Sequence, residues 1–112
     1  MKICIIGNSL TSLTLAKALV NKEIFVDVFY KNKNINLDKT RTIGLSKSNI
    51  NFFNNNISKI NKILWPIKKI KIFSENSRGE ELIGFEEPNN HLFSIINNFR
   101  LYSQLSSELN KI

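Results

Sequence analysis

The part of this sequence best suited to binding a ligand is a glycine that follows a short apolar run and precedes apolar residues at helical spacing. The run from Ile3 to Ile6 stops at Gly7, and a helical pattern begins at once. The glycine allows a sharp turn, and the amides of a following helix N-terminus favour a pyrophosphate. The residues predicted to present these amides are Gly7, Asn8, Ser9 and Leu10.

The glycine pattern of a dinucleotide-binding turn is only partly present. The spacing G-x-G-x-x-G places glycines at positions 7, 9 and 12, and this chain has Gly7, Ser9 and Ser12 there. Ser9 still lets the backbone approach a phosphate and brings a hydroxyl donor, although it adopts positive φ less readily than glycine. Ser12 is expected to push the helix slightly away from the strand. The motif by itself leaves open an ordinary strand, turn and helix.

The second predicted strand, residues 24–30, has no carboxylate at its end. In dinucleotide-binding units an acidic residue about 20 positions after the glycines holds the ribose. Here the strand ends at Tyr30, followed by Lys31, and its one acid, Asp27, is a mid-strand residue by alternation. Tyr30 and Lys31 are therefore the residues predicted to lie beside an adenosine ribose.

Composition limits the classes of function. The chain has 112 residues and a net charge of +7, with 16 basic and 9 acidic side chains. The lysines are scattered among Asn and Ile without a basic face, so we expect no nucleic-acid partner. Cys4, the one cysteine, is predicted to be buried in a strand covered on both faces, which indicates a reducing, cytoplasmic setting. His91 is the one histidine, so no metal site and no catalytic residue is predicted.

The remaining elements alternate between helix and strand. Ser46 or Ser48 is a candidate N-cap for a helix that buries Ile50 and Phe53, and Phe52 is also assigned to the core. A second helical period covers residues 57–64. Strands are expected at residues 67–73, 81–85 and 92–96, the first two forming a hairpin with a turn at 77–79. The last helix has leucines four residues apart at Leu101, Leu105 and Leu109.

Four blocks in this order resemble the N-terminal part of the flavin-dependent aromatic hydroxylases of ubiquinone biosynthesis, in the fold group of p-hydroxybenzoate hydroxylase. They are residues 5–16, 38–46, 65–73 and 95–105. The most specific block begins at Asp38 and continues as Arg41-Thr-Ile-Gly-Leu-Ser46. It is similar to the family's D-x-R-x-x-A-L-S segment, with Gly44 in place of alanine.

The resemblance implies FAD as cofactor and NAD(P)H as its reductant, with oxygen transferred to an electron-rich ring. Arg41 is then the residue that reaches the flavin, because a fixed cationic fork suits a pyrophosphate or flavin edge. Asn98 matches an asparagine of the family's segment before the last helix. The neighbouring glutamate and arginine of that segment are Asn97 and Phe99 here.

The fold expected is an α/β chain, a partial Rossmann-type FAD-binding domain with a β-hairpin layer, truncated relative to the family. Its parts are residues 1–46, 47–66, 67–96 and 97–112. The implied function is the FAD-binding portion of an aromatic monooxygenase, with the 112 residues alone not catalytic. The alternative is a non-catalytic remnant or docking subunit with weak or no flavin binding. A C-terminal half or other hydroxylase-complex subunits are the implied partners. Self-association is expected, and the resemblance allows peripheral contact with the inner membrane.

Overall fold

The computed structural model describes residues 1–32, 38–75, 79–86 and 93–111. It opens with strand β1 (Lys2–Ile6), helix α1 (Leu10–Asn21) and strand β2 (Phe25–Phe29). β1 and β2 pair in parallel, with Cys4 opposite Asp27. This is the βαβ unit predicted from the sequence, since parallel strands require a crossover connection such as α1.

A second sheet follows from the middle and the end of the chain. Strand β3 (Thr42–Ser46), helix α2 (Lys47–Asn56), a 3-10 turn (Asn61–Ile63) and strand β4 (Leu64–Ile67) come first. Strand β7 (Phe93–Asn97) then lies between β3 and β4 and pairs antiparallel with both. Helix α3 (Asn98–Asn110) begins directly after β7. Between β4 and β7 in the sequence, β5 (Lys69–Phe73) and β6 (Glu81–Glu86) pair antiparallel, as predicted for the strands of the hairpin. The turn predicted at 77–79 lies mostly outside the described residues.

The core lies where α1, α3 and β7 meet. Leu101 and Leu105, on one face of α3, pack against Leu13 of α1 and Ile96 of β7. Ile60 of the segment between α2 and β4 completes this centre and is fully buried. The four-residue leucine spacing of α3 therefore has the role that the sequence predicted for it.

Polar contacts anchor the end of α2 to this core. The Ser58 hydroxyl lies within hydrogen-bond distance of both carboxylate oxygens of Glu108, at 2.9 and 2.8 Å, and accepts from the Gln104 amide at 2.7 Å. The Asn21 amide donates to the carbonyl of Ile57 at 2.8 Å. Buried polar groups are usually hydrogen-bonded, and these bonds satisfy the polar groups where the chain leaves α2.

The helix predicted over residues 57–64 is wrong. Ile57 ends α2, and only the three residues Asn61–Ile63 form a 3-10 turn before β4 begins. The Asn54 side chain accepts from the Ile60 amide at 2.9 Å, which removes that amide from a helical ladder. Pro66 does not end a helix but lies inside β4, which is an edge strand and tolerates proline.

The predicted burial of Cys4 is also wrong, because Cys4 is exposed. Alternation puts Ile3 and Ile5 on the face toward α1, and Cys4 on the opposite face with Ile6. The described residues cover only the first of these faces. Phe52 is likewise exposed, whereas its neighbour Phe53 packs against the core. No helix within the described ranges is long and apolar enough to cross a membrane.

Candidate functional site

The candidate site lies at the carboxyl ends of β1 and β2. The connection from β1 to α1 passes through this edge, and the Asn8 side chain donates to the Asn32 carbonyl, which follows β2, at 3.0 Å. Tyr30 lies at the same end and beside Tyr102 of α3. Open α/β sheets bind ligands in this position, outside the carboxyl ends of their strands.

The turn after β1 needs its glycine. Gly7 has φ of +114°, a conformation that side-chain-bearing residues rarely adopt. Its amide donates to the Phe29 carbonyl at 2.7 Å, which extends the pairing of β1 with β2 by one residue. A Cβ atom on Gly7 would lie 3.4 Å from the Ser12 hydroxyl. The predicted position of the turn is therefore confirmed.

The N-terminus of α1 presents free amides beside this turn. Ser9 is the N-cap, and its hydroxyl oxygen accepts from the Ser12 amide at 3.3 Å. The Ser9 and Ser12 hydroxyls also share a hydrogen bond of 3.1 Å. The amides of Leu10 and Thr11 belong to the first turn and have no partner within the helix. Partial positive charge at these amides suits an anion, whereas the Ser9 hydroxyl is engaged in capping.

The end of β2 presents a phenol and an ammonium group. Tyr30 and Lys31 are both exposed. Burial raises the pKa of Tyr102, and the nearby Tyr30 adds to that rise. Asp27 is separated from this edge, because it lies on the Cys4 face of the sheet and forms an ion pair of 2.8 Å with Lys2. The structure therefore places no carboxylate from β2 at the carboxyl end of the strand.

The segment before β3 is a compact turn built around Asp38. The Asp38 carboxylate accepts from the Thr40 hydroxyl at 2.6 Å and from the Thr40 amide at 2.9 Å. These two bonds, the hydroxyl first, hold the pKa of Asp38 below its ordinary value. The Arg41 amide closes the turn by donating to the Asp38 carbonyl at 3.3 Å. Arg41 itself is exposed and directly precedes β3.

This turn is docked on the N-terminus of α3. The Asn98 amide donates to the Arg41 carbonyl at 3.0 Å, and the Asn97 side chain donates to the Lys39 carbonyl at 2.8 Å. The Lys39 ammonium lies 5.1 Å from the ring centre of Phe99, in cation–π range. Asn97 is also the N-cap of α3, accepting from the Arg100 amide at 3.0 Å.

Asn98 keeps an unused acceptor at this position. Its side-chain oxygen is buried and accepts no hydrogen bond from the described part of the chain. An unpaired buried acceptor is rare in folded proteins and marks this position as unusual. Asn98 thus combines a structural role, through the bond of its backbone amide to Arg41, with an unpaired side-chain oxygen that lies beneath the surface.

The structure arranges the predicted residues in two neighbouring groups. One contains Gly7, Asn8, Ser9, Leu10, Tyr30 and Lys31 around the β1 turn. The other contains Arg41 and Asn98 at the start of α3. Tyr102, one helical turn after Asn98, lines the same cavity as Asn8 and Tyr30 and so connects the two groups.

Sequence analysis missed the residues that fix the second group. Lys39, Asn97 and Phe99 anchor the Arg41 segment, and Asn97 and Phe99 are two positions at which the sequence departs from the hydroxylase pattern. An Asn at the boundary between an apolar strand and an apolar-periodic helix is a recognisable N-cap signal. Nothing in the local sequence points to the pairing of Lys39 with Phe99, which are 60 positions apart.

Comparison with solved structures identifies the architecture. HpxO of Klebsiella pneumoniae, solved in complex with FAD and uric acid, matches over 97% of this chain with a TM-score of 0.75 and 18% identity. The 2,6-dihydroxypyridine-3-hydroxylase of Arthrobacter nicotinovorans matches over 93% with a TM-score of 0.69 and 16% identity. The chain therefore has the fold of the corresponding segments of these two proteins.

The chain spans only 28% and 25% of the lengths of these two proteins. FqzB gives the same picture, with 99% of this chain and 26% of that protein aligned at a TM-score of 0.68 and 15% identity. A search of protein-family models and a search of curated proteins each gave no match.

Proposed function

We propose that this chain is the FAD-binding portion of a flavin-dependent hydroxylase that acts on an aromatic ring. The observation that carries the proposal is the Gly7 turn, which leaves the amides of Leu10 and Thr11 free at the carboxyl end of a parallel βαβ unit. The fold and the FAD bound to HpxO support it. The likeness of the Asp38 to Ser46 block to the corresponding ubiquinone-biosynthesis segment supports a ring of that pathway as substrate.

The described residues fit FAD at the phosphates better than at the ribose. The free amides of α1 and the nearby Lys31 suit a pyrophosphate. The Asn98 oxygen is buried and unpaired, and a ligand hydroxyl would reach it only if the side chain turned outward, whereas the exposed Arg41 is free to approach a flavin edge. Tyr30, in contrast, offers one hydroxyl where a carboxylate would accept two hydrogen bonds from a ribose. We therefore expect FAD to bind weakly.

The chemistry supplied by bound flavin is redox activation of oxygen, and this chain contributes only binding and orientation. The α1 amides would hold the pyrophosphate, and Tyr30 and Lys31 would lie by the adenosine end. Arg41 would be held toward the flavin by the docked turn of residues 38–41. A shift of this turn would displace Arg41 from the start of α3, because two of its carbonyls are held by Asn97 and Asn98.

The first test is FAD titration by calorimetry with two glycine variants. Gly7 and Gly79 both have positive φ, but Gly79 lies beside the hairpin and a Cβ there would meet open space. Gly7→Ala is expected to weaken FAD binding at least tenfold, because it strains the turn that orients the α1 amides. Gly79→Ala is expected to leave binding unchanged. Equal loss in both variants would contradict a phosphate site at Gly7.

A gain-of-affinity test addresses the departures from the glycine pattern. Ser12→Gly with Tyr30→Glu is expected to raise FAD affinity at least tenfold, or about 1.4 kcal/mol. Ser9 is retained because it caps α1. Tyr102→Glu is the control, since it places the same charge on α3 and not at the end of β2. If neither the native chain nor the double variant binds FAD, the chain has no flavin site.

The second candidate function is a docking subunit without flavin, and the exposed face of β1 and β2 favours it. Ile6, Phe25 and Phe29 are 88%, 75% and 56% exposed on the face that Cys4 shares. Such an apolar face on a parallel sheet is normally covered. Sedimentation of the purified chain should show self-association that Phe25→Ser with Phe29→Ser reduces. A stable monomer at all concentrations would contradict this candidate.

A further inference from the structure

Lys39 is a central residue of the docked turn of residues 38–41, and its side chain has one specific contact. The ammonium group lies 5.1 Å from the ring centre of Phe99, the second residue of α3. Among the described residues, Lys39 forms no ion pair. The Phe99 side chain is partly buried, and a cation is attracted more strongly to the face of a partly desolvated ring than to one in water.

The backbone of the same turn is held on α3 at two neighbouring points. The Lys39 carbonyl accepts from the Asn97 side chain at 2.8 Å. The Arg41 carbonyl accepts from the Asn98 amide at 3.0 Å. Asn98 is the first residue of α3, so its amide has no partner within the helix and relies on Arg41. The Lys39 side chain adds a third point of attachment, on the next residue of the helix.

The charge of Lys39 is placed against the local electrostatic preference. The N-terminus of a helix carries partial positive charge and favours anions over cations. α3 has no acidic residue in its first turn, and Arg100 already adds a positive charge there. Asp38, the carboxylate of the turn, is engaged by Thr40. The Phe99 ring is therefore the described group that attracts Lys39 to this position. Departures from local preference of this kind are expected at functional sites.

We propose that Lys39 is a positioning residue for Arg41 and acts by docking on Phe99. The contact closes the turn against α3 and so fixes the backbone from which the Arg41 side chain extends toward the flavin. Lys39 acts through Arg41 and not by touching the cofactor. Its role in FAD binding rests on the proposed function, whereas its effect on the turn does not, and the two are measured separately.

The first measurement is hydrogen exchange of the Asn98 amide, followed by NMR in the chain without FAD. This amide is held by the Arg41 carbonyl, so its exchange rate reports how often the docked turn opens. Lys39→Met and Phe99→Leu are each expected to raise the rate about two- to fivefold, the range for an exposed cation–π pair. The Leu105 amide, inside α3, is expected to keep its rate, which shows that the helix remains folded.

Two exposed side chains of α2 provide matched controls. Lys47→Met and Phe52→Leu make the same chemical changes on a different element and are expected to leave exchange of the Asn98 amide unchanged. The double variant of Lys39 and Phe99 should exchange no faster than the faster single variant, because both changes remove one contact. Lys39→Arg and Phe99→Trp should preserve the native rate, since guanidinium and indole groups retain a cation–π pair.

The second measurement is FAD titration of the same variants by calorimetry. Phe99→Leu retains the positive charge of Lys39, so a loss of FAD affinity in this variant reports the position of Arg41 and not a missing charge. We expect a loss of about two- to fivefold, because a contact cannot shift binding by more than its own free energy. Lys39→Met should lose a similar factor, and Phe99→Trp should bind FAD like the native chain.

Three results would overturn the proposal. Unchanged exchange of the Asn98 amide in Lys39→Met and Phe99→Leu would show that the turn does not depend on this contact. A loss of FAD affinity in Lys39→Met alone would assign Lys39 to direct contact with the cofactor. Faster exchange with native FAD affinity in both variants would limit the contact to stabilising the turn. If the native chain binds no FAD, the proposed function fails, and the exchange rates still decide whether Lys39 positions Arg41.

Discussion

The core around α3 and the hairpin of β5 and β6 are built from equally apolar sequence but bury it very differently. Ile96 of β7 and Leu105 of α3 are fully buried. Every described residue of β6 is exposed, and in β5 only Ile70 is partly buried. The core strand β7 is packed against a helix, and no described element packs on the hairpin to the same extent. Burial in this chain therefore follows helix coverage and not the apolar content of the strands.

The hairpin is nevertheless amphipathic. Its register puts Ile70 opposite Phe85 and Ile72 opposite Ile83 on one face. The other face carries the ion pair of Lys69 with Glu86 at 3.7 Å and that of Lys71 with Glu81 at 3.9 Å. Exposed ion pairs contribute little, and a two-stranded hairpin alone is marginally stable. Its apolar face is thus suited to a partner that the described residues do not supply.

The largest expected effect is a difference in the free energy of unfolding between a core variant and a hairpin variant. Leu105→Ala should reduce the free energy of unfolding by about 2–5 kcal/mol, because it opens a cavity in a fully buried site. Ile83→Ala, at a site that is 51% exposed, should lower the free energy of unfolding by less than about 0.5 kcal/mol. Urea titration followed by circular dichroism measures both. Similar losses in the two variants would mean that the hairpin is packed in solution.

The second prediction compares local opening in the same two regions. Amides of β5 and β6 should exchange with solvent at least tenfold faster than those of β7, because few buried contacts must break to open the hairpin. NMR exchange on the native chain gives both sets of rates together. If the amides of the hairpin were as well protected as those of β7, the inference that the less buried hairpin opens more easily would be contradicted.

The third prediction concerns the contact between the site and the core. Asn97→Ala should lower the free energy of unfolding by about 1 kcal/mol, since it removes the N-cap of α3 and the hydrogen bond to the Lys39 carbonyl. Asn110→Ala, at the exposed end of the same helix, should have little effect. Chemical shifts of Arg41 should change in the first variant alone. An unperturbed Arg41 in Asn97→Ala would mean that the docked turn is held by other contacts.

The smallest effect is a pH dependence of the turn at Asp38. Its pKa is lowered in the folded chain, so the associated stability is present above the ordinary value of 3.8 and is lost as pH falls through the lower folded pKa. Thr40→Val removes the stronger bond and should raise the pKa of Asp38, measured by NMR titration of its carboxyl. Thr42→Val, close by and exposed, is the control. An unchanged pKa in Thr40→Val would contradict the assigned cause.

The elements with strong periodicity or clear capping residues could be predicted from the sequence, because these features act on neighbouring residues. The apolar run, Gly7 and the helical period of α1 lie within 21 residues, and each feature acts on its neighbours. The same holds for the N-cap at Ser46, the leucine face of α3 and the alternation of the hairpin strands. The helix predicted over residues 57–64 is absent although the sequence has a helical period there. The Asn54 side chain binds the Ile60 amide, and β4 pairs with β7, so this segment cannot continue as a helix.

What only the tertiary structure decided is which apolar surfaces are covered and how distant segments meet. Both faces of β1 carry apolar side chains, yet Ile5 is buried and Ile6 is exposed because α1 covers one face alone. The docking of Lys39 and Arg41 on Asn97, Phe99 and Asn98 joins segments more than 55 positions apart. Such contacts depend on the path of the whole chain, whereas turns, caps and periodicity depend on a few neighbouring residues.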